Sequence, residues 1–246
     1  MAGAAVLGRL TWRTATIRAS RPESARAKTL VLDVDDWPGH LAGQHVDVRL
    51  TAEDGYQAQR SYSIASAPDG GTGIELTVVR IDGGEVSPYL VDEVQPGDRF
   101  EVRGPVGGYF VWNSSSGGPL LLVAGGSGVV PFRAMLRHRA AAGSDVPARL
   151  LYSSRSLEEV IYREELEGLD ADVRFTLTRE QPEGWTGYAR RIDAELLAEV
   201  AWPPEERPHV FVCGPTTFVE VAASSLVALG HEPGRIKTER FGATGR

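Results

Sequence analysis

A small antiparallel β-barrel followed by a doubly wound α/β domain is the fold class that this sequence predicts, on three observations. Between residues 11 and 110, short alternating or β-branched runs are separated by turn residues, the pattern of an antiparallel barrel. At Leu120-Leu121-Leu122-Val123-Ala124 alternation gives way to a continuous apolar run, as in a parallel strand covered on both faces. Beyond it, strand patterns alternate with helical ones, which is how a doubly wound parallel sheet is built.

The barrel strands are expected at residues 11–20, 28–34, 44–50, around 60, at 74–81 and at 99–103, six in all. Asp35-Asp36-Trp37-Pro38-Gly39 ends the second, and Gln95-Pro96-Gly97-Asp98 precedes the last. Residues 87–94 form the one helical piece, with Ser87 as N-cap and Pro88 in the first turn. Asn113-Ser114-Ser115-Ser116-Gly117-Gly118-Pro119 reads as a linker, which divides the chain into 8–113 and 119–246. In the second part, strands are expected at 149–152, 173–177, 210–213 and 236–240. Helices are expected at 132–142, 157–169, 193–200 and 216–229.

The 246 residues suffice for one large or two modest domains. A net charge of -7 argues against general nucleic-acid affinity. One cysteine, Cys213, excludes an intramolecular disulfide and a cluster held by four thiolates of this chain. His40, His45, His138, His209 and His231 are scattered and make no short-spaced ligand pair, so no metal site is expected. Apolar runs fall short of the roughly 18 residues that span a bilayer. The opening Met1-Ala2-Gly3-Ala4-Ala5 lacks the basic start of a signal peptide. The expectation is a cytoplasmic protein with no membrane insertion.

Arg60-Ser61-Tyr62-Ser63 organises the first half. A guanidinium pairs with phosphate, a tyrosine ring lies flat on a heterocycle, and a serine hydroxyl reaches a ring nitrogen. Such a strand suits a ligand flat at one end and anionic at the other, as a flavin nucleotide is; the alternative is a plain half-buried strand. Gly83-Gly84-Glu85-Val86-Ser87-Pro88 opens a helix whose backbone N–H groups make a second phosphate candidate. Arg80 either joins that site or faces solvent. The early excess of Arg9, Arg13, Arg18, Arg21, Arg26 and Lys28 over Glu23 is either a solvated face or a docking surface for an acidic protein.

Gly125-Gly126-Ser127-Gly128-Val129-Val130-Pro131 follows the first parallel strand and opens a helix, a natural nucleotide phosphate site. The next strand ends in Ser153-Ser154-Arg155, with no acid until Glu158, and the third in Thr178-Arg179. Hydroxyls and guanidinium groups suit a 2′-phosphate where a carboxylate would grip a ribose hydroxyl, so NADP(H) is expected over NAD(H). Arg190 and Arg191 either add to that pocket or cap the sheet edge. Cys213-Gly214-Pro215 leaves room for a flat ring at a strand C-terminus, unless Cys213 is an inert core thiol; Phe241 either covers a ring or only packs.

Arg60-Ser61-Tyr62-Ser63, Gly84 with Ser87, Gly126-x-Gly128-x-x-Pro131, Cys213-Gly214-Pro215 and Glu239-Arg240-Phe241 occur in the order seen in the ferredoxin–NADP reductase superfamily, which the chain resembles over nearly its whole length. The resemblance implies a flavin-binding barrel, a pyridine-nucleotide domain and two rings stacked where they meet. It implies Arg60 and Ser87 at the flavin phosphates, Tyr62 on the isoalloxazine and Ser63 at its N5 edge. Cys213 and Glu239 would line the nicotinamide, and Thr178 and Arg179 would read the NADP phosphate. Val78, Arg80, Gly84, Val86 and Phe241 complete the expected flavin contacts; Gly126, Ser127, Gly128, Val129, Ser154, Arg155 and Gly214 complete the nucleotide contacts. Two phosphate candidates favour FAD over FMN. Glu239-Arg240-Phe241-Gly242 is similar to the oxygenase-reductase branch, where an iron–sulfur domain often follows; here Ala243-Thr244-Gly245-Arg246 follows. The implied activity passes hydride from NADPH to FAD and single electrons to a separate acceptor. That acceptor is an iron–sulfur protein such as an acidic ferredoxin, an oxygenase or molybdenum enzyme, free flavin or a ferric siderophore.

Overall fold

The alternating first half forms β1 (Trp12–Ser24), β2 (Ala27–Val34), β3 (His45–Thr51), β4 (Gln57–Ser63), β5 (Gly73–Val79) and β6 (Arg99–Val106) in a computed structural model that describes residues 10–241. Arg9 and the tail from Gly242 to Arg246 lie outside the described residues. The six strands make one antiparallel sheet in the order β4-β3-β6-β1-β2-β5. Its two edges meet just past β4. Ile64 bridges Leu76, and the Ala65 N–H donates to the Glu75 carbonyl at 2.7 Å, which closes the barrel and removes the open edges. Alternation sends Ile17, Leu30, Leu32, Val46, Val48, Leu76, Val78 and Val102 inward, each at 1% exposure or less.

The helix expected at 87–94 is one wide turn, Tyr89–Glu93, that places Val86, Leu90, Val91 and Val94 in the barrel core. Ser87 is not its N-cap. The Ser87 hydroxyl accepts the Ile81 N–H at 3.0 Å and so closes the loop before the turn. The demand to bury four apolar side chains in one short span overrides the local capping signal.

The second half forms β7 (Leu120–Gly125), α1 (Val130–Ala141), β8 (Ala148–Ser154), α2 (Arg163–Glu167), β9 (Asp172–Leu177), α3 (Ala194–Val200), β10 (His209–Pro215), α4 (Thr216–Ala228) and β11 (Ile236–Phe241). The strands are parallel in the order β11-β10-β7-β8-β9. All of β7 is buried, as a strand covered on both faces must be. One face packs on α1 and the other on α3 and α4. The helix expected at 157–169 shrinks to α2, because Tyr162 takes a left-handed backbone (φ 63°) and turns its ring into the core. Helix propensity there yields to a tertiary contact: the Tyr162 hydroxyl bonds Thr77 of β5.

The two halves share a core. Ala42, Ala65, Phe110 and Trp112 pack with Val129, Phe132 and Met135 of the second half. Phe110 stands 6.0 Å from Phe132 and edge-on to Phe211 at 5.3 Å. Gly43, with φ +105°, lies so close to the Phe110 carbonyl and to Met135 that any Cβ would collide with them. We retain 113–119 as the proposed boundary, with Phe110 and Trp112 as the first half's contribution to the joint core.

Most of the early basic residues are already paired. Arg18 faces Asp33 at 3.6 Å, Arg21 binds Glu23 and Glu75, and Arg26 binds Asp82 at 2.8 Å. Arg13 donates to the carbonyls of Asp36 and Gly104. Truncating Phe110 empties the shared core, and a buried Phe→Ala change typically costs about 3–5 kcal/mol. Phe110→Ala is expected to lower unfolding free energy by that amount in denaturant titration.

Candidate cofactor cleft

Strand order creates the cleft. β8 lies on one side of β7 and β10 on the other, so the chain leaves their C-terminal ends in opposite directions and a crevice opens between them. Gly125 and Gly214 face each other there, and Phe218 covers both: a Cβ on Gly214 would lie 2.7 Å from the Phe218 ring. The glycine loop, Gly126–Val129, is one 3-10 turn leading into α1. Gly128 rests on the Cys213 carbonyl so closely that any side chain would overlap it. Gly126, by contrast, has φ +55° and open space beside it, so its backbone stays accessible.

Between this crevice and the barrel lies a cleft of about 580 Å³, within the usual size of a small-molecule site. Its far wall includes Gly126, Ser127, Ser154, Arg155, Thr178, Phe218 and Phe241. Arg26, Val79, Arg80 and Asp82 form the barrel wall. Thr178 is held in place, since both its N–H and its hydroxyl donate to the Ser154 carbonyl, at 2.9 and 3.1 Å. Arg179 is exposed and does not line the cleft; its N–H donates to the Arg155 carbonyl. Glu159 does line the cleft, an acid that the strand-end pattern had not placed there. Arg190 turns away to Asp193 and Glu195, at 2.5 and 2.7 Å, at the start of α3, where Asp193 is the N-cap.

On the barrel, Arg80 is neither free in solvent nor unpaired: it binds Asp92 at 2.8 Å and also Asp82. Arg60 is held more loosely, donating to the neighbouring Gln59 carbonyl with Glu85 at 3.9 Å, which leaves most of its donors for a phosphate. Tyr62 packs its ring on the barrel core, and burial pushes its hydroxyl pKa up, so the phenol stays neutral. Val78, Val86 and Val129 are buried whole, backbone as well as side chain, and none of them lines the cleft.

A line of polar side chains crosses from barrel to sheet. Ser63 pairs in register with His45 across β3 and β4. The His45 Nδ1 lies 3.5 Å from Glu239 Oε1, and Glu239 pairs in register with Cys213 across β10 and β11. Burial pushes the Cys213 thiol well up, and the Glu239 charge adds to it, so Cys213 is a neutral thiol at ordinary pH. Glu239 Oε2 is buried without a hydrogen-bond partner among the described residues, an acceptor that a ligand amide would satisfy. Histidine 45 escaped sequence reasoning because its role depends on a contact between residues 194 positions apart; its place opposite Ser63 was the available signal.

In the cleft, the open glycine loop and Arg155 fit a pyridine nucleotide; outside its lining, the loosely held Arg60, the half-buried Tyr62 and the orphaned Glu239 oxygen fit a flavin dinucleotide. Among the described residues, no helix is long and apolar enough to cross a membrane.

Comparisons with known proteins agree. Residues 15–111 match the oxidoreductase FAD-binding domain family and residues 122–224 the oxidoreductase NAD-binding domain family. Ferredoxin–NADP reductase B of Sorangium cellulosum (strain So ce56) is 39% identical over 210 residues, covering 81% of this chain and 85% of that one. The glycine betaine monooxygenase reductase subunit of Pseudomonas aeruginosa (strain UCBPP-PA14) is 31% identical over 82% of this chain, which spans 56% of that subunit's length. The FAD/NAD-binding domain of nitric oxide dioxygenase from Vibrio cholerae superposes with a TM-score of 0.83 at 27% identity, over 94% of this chain and 98% of that one.

A neutral, 2%-exposed thiol is a poor nucleophile. Iodoacetamide at pH 8 is expected to leave Cys213 unlabelled in the folded chain and to label it fully in urea, as read by mass spectrometry.

Proposed function

Because this chain belongs to the FAD- and NAD-binding oxidoreductases of the ferredoxin–NADP reductase type, we propose that it oxidises NADPH and passes the electrons to a separate iron–sulfur protein such as a ferredoxin. Bound there, a pyridine nucleotide would supply hydride chemistry and FAD the exchange between two-electron and one-electron transfer. The observation that carries the choice of NADPH is the group at the strand tips: Ser154 and Arg155 share the cleft wall, offering a hydroxyl and a guanidinium to a 2′-phosphate, while Thr178 beside them keeps its hydroxyl on the Ser154 carbonyl. Glu159 on the same wall bears against it, so the choice rests on direct comparison of the two nucleotides.

Each side chain then has a task. Arg60 holds the flavin phosphates, with the Gly84 loop beside it; Tyr62 supplies the flat wall. Ser63 would hold the N5 edge, with His45 opposite it in register and 3.5 Å from Glu239. Glu239 receives the nicotinamide amide, Cys213 leaves space for the ring, and Phe241 covers the site. Positioning of this kind is the protein's main contribution to the reaction.

Support for a ferredoxin as acceptor comes from the Sorangium reductase, similar over most of both chains. A second reading, reductase to an oxygenase, draws on the glycine betaine monooxygenase reductase subunit. Anaerobic titration separates these readings. NADPH is expected to bleach the yellow chain at a lower concentration than NADH, and reduced chain to reduce a ferredoxin. Equal use of NADH removes the 2′-phosphate assignment; no bleaching by either removes the activity. Ser63→Ala is expected to slow flavin reduction by roughly 10²-fold while NADPH affinity changes little, measured by stopped-flow absorbance.

A further inference from the structure

Arg133 is the largest fully buried side chain, and it crosses the junction. It sits in the first turn of α1, two residues past Pro131 of the nucleotide loop. Its Nη1 donates to the Ala65 carbonyl at 3.3 Å and to the Glu75 carboxylate. Its Nε donates to Glu165 at 2.9 Å, and its guanidinium lies 4.5 Å over the Tyr162 ring. Nη2 is buried with no hydrogen-bond partner among the described residues. Arg137 adds a second link between Glu75 and Glu165, and Arg21 a third cation on Glu75.

Stability alone is a weak reason for such a cluster. Buried ion pairs can often be exchanged for apolar contacts without loss, and this one leaves a donor unpaired. What the guanidinium does specify is position. Ala65 is two residues past Ser63, and the bond from Ala65 to Glu75 is the one that closes the barrel. A single planar group therefore binds the peptide that follows the flavin strand and belongs to the helix that begins at the nucleotide loop. Apolar contact at Phe110 allows the halves to slide; a fork with fixed donor directions does not. Burial on its own raises the Glu75 pKa, but the hydrogen bond from Arg21 and the charge of Arg133 bring it down to about 2, so the fork keeps its charged partner at working pH.

We propose that Arg133 is a positioning residue that sets the separation of the flavin and nicotinamide sites by holding Ala65 and Glu75 of the barrel against the nucleotide-loop helix. The proposal rests on the hydride-transfer reading above. Arg133→Lys keeps the charge but cannot span both carboxylates and the carbonyl. It is expected to keep flavin content, and NADPH affinity within about twofold, while slowing flavin reduction by about tenfold or more. The long-wavelength charge-transfer absorbance of the reduced flavin with NADP⁺ is expected to weaken. In the flavin-free chain, calorimetry is expected to show one unfolding transition for the wild type and two for Arg133→Lys. Wild-type rate and absorbance in Arg133→Lys overturn the proposal; so does a parallel loss of flavin, affinity and rate, which marks general damage. Should Arg133→Lys fail to fold, Glu165→Gln removes one arm at the half-buried end and is expected to give a smaller slowing of the same kind; an unchanged rate there also overturns it. A wild-type chain that neither NADPH nor NADH reduces sinks the underlying activity instead, and calorimetry of the flavin-free chain still decides the coupling.

Discussion

Joining the barrel to the sheet depends on one apolar insertion, that of Phe110 between Phe132 and Phe211. Residues after β6 carry it across, and Trp112, Ala42 and Ala65 fill in around it. Hydrophobic burial supplies the attraction but has no direction. Direction comes from the polar groups at the border: Lys237 donating to the Val111 carbonyl at 3.0 Å, Tyr109 to the Ile236 carbonyl at 3.3 Å, and the fork of Arg133. A site assembled from two sheets needs both kinds of force.

Electrostatics in the cleft follow a different logic on each wall. The barrel wall presents Arg26 and Arg80, but Asp82 binds both and Asp92 takes Arg80 as well. An anion arriving there meets nearly neutral pairs. On the sheet wall Arg155 is exposed, and no ion pair of the described residues holds it, so it remains available to a phosphate. Outside the cleft lining, His45 and Glu239 meet at the barrel–sheet border, where a carboxylate oxygen is buried with no partner among the described residues. Such an oxygen is costly unless a bound group supplies a donor.

Local signals carried much of the architecture into the sequence. The glycine loop, the all-apolar β7 and the alternation of the barrel strands are determined by near neighbours, and each appears where the pattern puts it. Long-range demands explain the departures. Ser87 looks like a cap, yet its hydroxyl closes a loop to Ile81. Residues 157–162 look helical, yet Tyr162 leaves the pattern to reach Thr77. A stripe of early basic residues reads as either a solvated face or a docking face, and carboxylates distant in sequence fold beside Arg21 and Arg26. Of the candidate site, Gly126, Ser127, Ser154, Arg155, Thr178 and Phe241 line the cleft, as does Arg80, which the sequence leaves open, whereas Arg60, Tyr62, Ser63, Ser87, Cys213, Glu239 and Arg179 do not.

The missing side chain at Gly128 has an engineering consequence. Because the loop rests directly on the Cys213 carbonyl, its height above the sheet is fixed by backbone alone, and even one methyl group there would lift it. Attempts to retune which nucleotide is accepted therefore have little latitude at the floor of the crevice. Their scope lies just past the tip of β8, at Arg155, an exposed side chain on the cleft wall that can be exchanged without moving the platform beneath.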